Sequence, residues 1–256
     1  MTLSRHDILN ALQVALEPLP YVHAMWQGGS VAFGKDDAWS DIDLQVDADD
    51  DKVNEVLALA ERTLADVSPI ELKYELPQPT WHGHAQAFYK LTDASEFLVV
   101  DLVVIRHSSP RKFTEPEIHG TAVVCFDKSE VVRTQPLDKD EWGRQLGARL
   151  ASLSVTFPMF QPLIRKEIFR RRPIEAVAFY HSHTLRPLVE LLRIRHSPFR
   201  HNFHSRLIYT DLPAEVIERL EALFFPADLQ DLERKHAEAV AWWSSLMAAE
   251  AGTAER

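Results

Sequence analysis

One cysteine, Cys125, stands in 256 residues, so no intrachain disulfide can form and no cysteine-based zinc site can be assembled. No apolar run approaches the roughly 18 residues that cross a membrane. The N-terminus, MTLSRHDILNALQVALEPLP, lacks a long apolar core and a small-residue cleavage site, so no signal peptide is expected and the cytoplasm is the expected compartment. Internal repeats and low-complexity stretches are missing too. Positive charge is scarce in one half: residues 1 to 128 hold 10 Lys and Arg against 21 Asp and Glu, a net of minus 11, whereas residues 129 to 256 hold 18 against 17, a net of plus 1. Such an acidic half disfavours a nucleic-acid backbone as main partner and suits cations, whether metal ions or a positively charged substrate. Solvated acidic surface accounts for the same imbalance.

What is present is ordinary globular material, 46% hydrophobic and 26% charged, in a chain long enough for two domains. Ser4 and Asp7 form a capping-box pattern ahead of an amphipathic helix over about 5 to 16, with Ile8, Leu12, Ala15 and Leu16 on one side. A strand is expected at 21 to 27. Residues 41 to 47 alternate strictly, Ile42, Leu44 and Val46 facing one way and Asp41, Asp43, Gln45 and Asp47 the other. Helical spacing returns over 52 to 66, followed by strand-like runs IELKYEL, AQAFYKL, EFLVVDLVVI and TAVVCF. From about 138 onward the pattern is helical, in segments expected to be separated by proline breaks. The predicted division is 1–135 for an α+β domain and 136–256 for a helical bundle.

Asp41 and Asp43 lie two apart on a strand, so both carboxylates project from one face, where they repel each other. A divalent cation reverses that penalty: Mg²⁺ takes hard oxygen ligands, one or two of them carboxylates. Asp101 interrupts FLVVDLVVI, a run apolar on both faces and so a central strand, where a lone carboxylate is expensive unless paired or metal-bound. Should the two strands be neighbours, three carboxylates converge, enough for the two-metal arrangement of phosphoryl-type transfer. The alternatives are a solvated strand face for the pair and a buried ion pair for Asp101. Upstream, Gly28 and Gly29 allow a tight turn that leaves backbone amides and the Ser30 hydroxyl to cradle phosphate oxygens.

The stretch GGSVAFGKDDAWSDIDL resembles the signature of the DNA polymerase β-like nucleotidyltransferase superfamily, with VVDLVVI supplying its third carboxylate. The match covers roughly residues 20 to 130, and the attached helical half makes the chain similar to the aminoglycoside and lincosamide adenylyltransferase branch. That resemblance implies an N-terminal mixed sheet flanked by helices and a C-terminal helical bundle that closes over substrate and nucleotide. It implies transfer of a nucleoside monophosphate from ATP or another NTP, with two Mg²⁺ ions, onto a hydroxyl of a small acceptor. By position, Gly29 and Ser30 would hold the triphosphate, with Ser40 beside them. Asp41 and Asp43 would bind metal, and Asp101 would ligate metal while taking the hydroxyl proton. Phe33 departs from the family, which often carries a polar or basic residue there.

Between Arg165 and Arg206 stand ten Lys and Arg and five His against three Glu. From this stretch Arg186, Arg193, His204 and Arg206 are the candidates to reach the triphosphate. Arg206 is favoured because SRLIYTDLPAEV resembles a helical segment of the family that borders the nucleotide. His82 and His84 in WHGH could share a strand face but lack a third zinc ligand, which leaves a substrate-cleft or surface role. DADDDKVNE is no calcium loop, because Lys52 stands where such a loop needs glycine and Ala58 where it needs its final Glu. Trp39, Trp81 and Tyr89 are expected to pack in the core or stack on a base. The expected function is therefore nucleotidyl transfer to a small hydroxylated molecule, an antibiotic leading the candidates. Transfer onto RNA or protein and a non-catalytic nucleotide-binding module are the alternatives.

Overall fold

The computed structural model describes residues 2–254. Contacts divide the chain into two units, one through Leu137 and one from Asp138.

The first unit holds six strands, β1 (Val22–Gln27), β2 (Ile42–Ala48), β3 (Ile70–Glu75), β4 (Ala85–Leu91), β5 (Val100–Arg106) and β6 (Val123–Asp127). They form one sheet in the order β3-β4-β5-β2-β1-β6. Only β2 and β5 run parallel; every other neighbouring pair is antiparallel, so the sheet is mixed. Helices α1 (Arg5–Leu16) and α3 (Val53–Val67) cover one face, and α2 (Gly29–Ala32) and α4 (Pro116–His119) are single turns. Strict alternation decides the faces. Ile42, Leu44 and Val46 join Val100, Leu102 and Val104 beneath Ile8, Leu12, Leu16, Val56 and Leu64 in the main core. The predicted capping box is present, Ser4 Oγ accepting from the Asp7 amide while Asp7 accepts from the Ser4 amide.

The opposite face is mixed in character. Ala24, Trp26, Val103 and Ile105 build a small second core there under Phe113, Val131 and Val132. Polar side chains share that face: register sets Asp43 opposite Asp101, Gln45 opposite Val103 and Asp47 opposite Ile105.

The second unit is helical: α5 (Lys139–Phe169), α6 (Pro173–Phe179), a π-helical turn (Tyr180–Leu185), α7 (Arg186–His196), α8 (Ile208–Asp211), α9 (Ala214–Phe224) and α10 (Leu229–Ala254). Here one expectation fails. The helical segments are expected to be separated by proline breaks, yet Pro158 and Pro162 both lie inside α5. Each removes one backbone hydrogen bond, but α5 buries Leu153, Phe157 and Ile164 in the unit's core, with Phe157 stacked on Trp243 at 3.9 Å between ring centroids. Gln161 ties the proline-containing stretch down, its amide donating to the carbonyls of Phe157 and His183 and accepting from Thr184 and His236. Tertiary packing overrides the local signal. Among the described residues no helix is long and apolar enough to cross a membrane.

Each unit carries a buried neutral histidine. Burial pushes His84 in the first and His236 in the second down to about 4. An unfolded chain binds those protons near the ordinary histidine pKa of about 6.5 while the folded chain refuses them down to about 4. Stability is therefore retained above about pH 6.5 and drains away between 6.5 and 4. Urea midpoints of both units are expected to fall over that window, and His236→Gln is expected to flatten the fall in the helical unit.

Candidate functional site

Strand pairing builds the site. Because β2 and β5 are parallel, their N-terminal ends lie together, and the carboxylates near both starts share one end of the sheet. Asp43 and Asp101 are direct register partners, about 5 Å apart between backbones in adjacent strands. Asp41 precedes β2 by one residue, and its Oδ1 accepts from the Val99 amide at 3.0 Å, just ahead of β5. β1 runs antiparallel to β2, so it delivers Gly28, Gly29 and Ser30 to the same end. The Gly28 amide donates to the Asp43 carbonyl at 2.9 Å.

The second glycine of that turn is required twice over. Gly29 has φ +60°, and a Cβ there would stand 1.7 Å from Asp43 Oδ2. No side chain fits between the turn and the carboxylate. Gly29→Ala is expected to displace Asp43 and to lower any transfer activity at least tenfold. It is also expected to weaken the fold by about 1 to 2 kcal/mol through the left-handed backbone. Steady-state kinetics and a urea titration check both effects.

Asp101 shows the electrostatics of the cluster. Burial pushes its carboxyl up to about 6; the hydrogen bond from Gln86 Nε2 to Oδ1 at 2.6 Å works the other way, and the charges of Asp43 and then Asp41 raise it further. Asp101 is thus ionised at pH 7 yet near the proton affinity of a useful base. Among the described residues no Lys or Arg pairs with it, which removes the ion-pair alternative. Its Oδ2 has no hydrogen-bond partner among them.

Farther along the same face, Asp47 is fully buried and differs in kind. Lys112 donates to its Oδ2 at 2.5 Å and to the carbonyls of Arg106 and His107, while His107 Nδ1 meets Oδ1 at 2.6 Å. His23 stacks on His107 and contacts Asp49, so His23, Asp47 and His107 bring ligand-type atoms together. Both Asp47 oxygens are already engaged, Oδ2 by Lys112 and Oδ1 by His107. This cluster is a buried ion pair that ties the ends of β2 and β5 to the following loop.

The remaining sequence-derived residues divide sharply. Ser30 is half-buried in α2, in the same turn as Gly29. The Ser40 hydroxyl is engaged in a local turn, donating to Asp37 Oδ1 and accepting from the Asp37 amide, both at 2.9 Å. It is already committed rather than offered to a phosphate. In the helical unit Arg193 is fully buried. It pairs with Asp211 at 2.7 Å and donates to the carbonyls of His204, Arg200 and Arg206. A guanidinium so committed organises the 200–211 loop, so the expectation that it reaches a triphosphate fails. Arg206 is exposed, stacked over Phe203 at 4.8 Å. Arg186 Nη2 donates to His204 Nε2 at 3.0 Å, and the two line a cavity of about 250 Å³ floored by Leu185 and Val189. His204 and Leu207 both hold positive φ there.

His82 and His84 are both buried, so neither has a surface role, and they lie in the loop ahead of β4 instead of on a strand. Trp39 and Trp81 are exposed instead of core, whereas Tyr89 is core. Gln86 was not singled out, although a polar residue between Ala85 and Ala87 in an alternating strand marks it as facing the carboxylate side.

No protein-family model matches the chain, and no curated protein matches its sequence. Among solved structures the chain is similar to an aminoglycoside 6-adenyltransferase from Bacillus subtilis, at 11% identity over 96% of this chain and 90% of that one, with a TM-score of 0.39. A superposition that loose leaves the functional reading to stand on the geometry of the carboxylates.

Proposed function

We propose that this chain is a Mg²⁺-dependent nucleotidyltransferase that moves a nucleoside monophosphate, AMP from ATP, onto a hydroxyl of a small molecule. The observation that carries the reading is the register pairing of Asp43 with Asp101, beside Asp41, with the Gly29 turn closed against the Asp43 carboxylate. Three carboxylates at one end of a sheet, with the half-buried Asp101 lacking a cationic partner among the described residues, form the hard-oxygen donor set that suits Mg²⁺. Asp41, Asp43 and Asp101 would hold the ions, which when bound neutralise the triphosphate and stabilise the attacking and leaving oxygens.

The chain's own groups supply the rest. Asp101, raised to about 6, accepts the proton of the acceptor hydroxyl as its oxygen attacks the α-phosphorus and pyrophosphate departs. Backbone amides of Gly29 and Ser30 and the Ser30 hydroxyl hold triphosphate oxygens, the Gly28 amide being taken by the Asp43 carbonyl. Of the basic residues that the resemblance suggests for phosphate, Arg193 is committed within its own unit, which leaves Arg186, His204 and Arg206 as the candidates. The acidic first half, net minus 11, favours a cationic acceptor such as an aminoglycoside, and a lincosamide is the neighbouring class. The free thiol of Cys125 and the use of ATP fit a cytoplasmic enzyme.

Incubation of the purified protein with Mg²⁺ and each labelled NTP, with pooled aminoglycosides and lincosamides, tests the proposal. A mass gain of one nucleoside monophosphate on an acceptor is the expected result. Label transferred only to RNA or protein overturns the small-molecule acceptor. Triphosphate bound without transfer to anything overturns the enzymatic reading.

A further inference from the structure

The loop ahead of β4 and the polar sheet face beside it hold a set of side chains that the proposed reaction leaves unused. His82 is buried, and its bonding is settled by the backbone. The amide of His84 donates to His82 Nδ1 at 3.2 Å, so Nδ1 is an acceptor and the ring proton sits on Nε2. Thr80 Oγ1 lies 3.4 Å from Nδ1 but spends its own proton on the His84 carbonyl at 2.6 Å, which removes it as a competing donor. His82 Nε2 therefore donates to Gln86 Oε1 at 3.0 Å. An amide whose oxygen is held there turns its NH₂ the other way, and Gln86 Nε2 donates to Asp101 Oδ1 at 2.6 Å. Trp81 and Phe113 pack edge-on against the His82 ring, with centroids 5.0 and 6.2 Å away.

The result is a chain of one polarity, backbone amide to imidazole to carboxamide to carboxylate. A carboxylate's terminal torsion is broad, and Asp101 stands among two like charges that favour swinging it away. We infer that His82 and Gln86 are positioning residues for Asp101, committing Oδ1 and one side-chain rotamer so that Oδ2 is left to the reaction. The inference rests on the nucleotidyl-transfer reading for what Asp101 does, though not for how it is held. His82 touches Asp101 only through Gln86, so a purely space-filling role and a positioning role make different predictions.

Long-range ¹H–¹⁵N spectra of labelled protein read the chain without metal or substrate. His82 is expected as the Nε2–H tautomer, and the Gln86 side-chain amide is expected to shift in both His82→Leu and Asp101→Asn. In transfer assays Gln86→Leu is expected to lower kcat about 10- to 100-fold, the range for outer residues that orient a ligating group, with KM for the NTP unchanged. His82→Leu is expected to lower kcat less and to add nothing on top of Gln86→Leu. His82→Gln keeps a donor for Gln86 Oε1 and is expected to restore most of the rate.

A His82 found as the Nδ1–H tautomer, or a Gln86 amide indifferent to His82→Leu, overturns the inference whatever the kinetics. Additive losses in the double variant, or losses confined to KM, overturn it as well. Spectra as expected from a protein that transfers nothing would instead remove the reaction and leave the hydrogen-bond chain standing. Should His82→Leu fail to fold, His82→Gln and Gln86→Leu decide the same question.

Discussion

Asp101→Asn is expected to abolish nucleotidyl transfer, by about 10³-fold or more in kcat, while leaving the protein as stable as before or more so. The two effects have one cause. Asp101 is ionised at pH 7 in a place where burial and the charges of Asp43 and Asp41 all disfavour the charge. An amide of the same shape still accepts from Gln86 at Oδ1 but carries no charge to desolvate or repel. With a chelator present, the variant is expected to gain about 0.5 to 2 kcal/mol in a urea titration, in the manner of strained functional groups replaced by inert ones. Asp43→Asn relieves the same repulsion and is expected to show the same loss of transfer. An Asp101→Asn protein that keeps near wild-type turnover would remove the basis of the proposed reaction. A large loss of stability would show that the carboxylate serves the fold instead.

Arg193→Met is expected to do the reverse, weakening the helical unit by about 3 to 5 kcal/mol. Arg193 and Asp211 are both buried, and the guanidinium also serves three carbonyls of the 200–206 stretch. Methionine fills the aliphatic volume but leaves the Asp211 charge with Arg200 alone and the carbonyls without their donor. Arg206→Ala, by contrast, removes an exposed side chain stacked on Phe203 and is expected to change stability by less than about 0.5 kcal/mol. Urea unfolding followed by tryptophan fluorescence measures both. Unchanged stability in Arg193→Met together with weakened ATP binding would restore the role that the sequence suggested for it.

That contrast shows where sequence reading stops. Alternation in 41 to 47 assigns Ile42, Leu44 and Val46 to one face and Asp43 to the other without any knowledge of the fold, because a strand's side-chain period is two. The apolar flanks of Asp101 mark a central strand in the same way. Arg193 and Arg206 look alike in sequence, since each is a cation in a basic stretch. Only the packing of the 200–211 loop on α7 makes one a buried organiser and the other a surface group. Ser40 is similar: next to the acidic strand it looks like a ligand, but a local turn with Asp37 has already taken its hydroxyl. The prolines of α5 mislead for a related reason, because a local penalty of about 3 kcal/mol each is smaller than what a long buried face returns.

By itself the sequence determined the periodic elements, the acidic strand face, the tight glycine turn and the change of character before the helical half, all consequences of side-chain spacing and backbone freedom within a few residues. Tertiary structure alone decided that β5 lies beside β2 in parallel, so that Asp101 faces Asp43. It also decided that Lys112 neutralises Asp47 and that His82 reaches Asp101 through Gln86. The contacts of Asp101 with Gln86 and of Lys112 with Asp47 join residues 15 and 65 positions apart, and what selects them is the burial of both sheet faces at once, a condition that no local window of sequence contains.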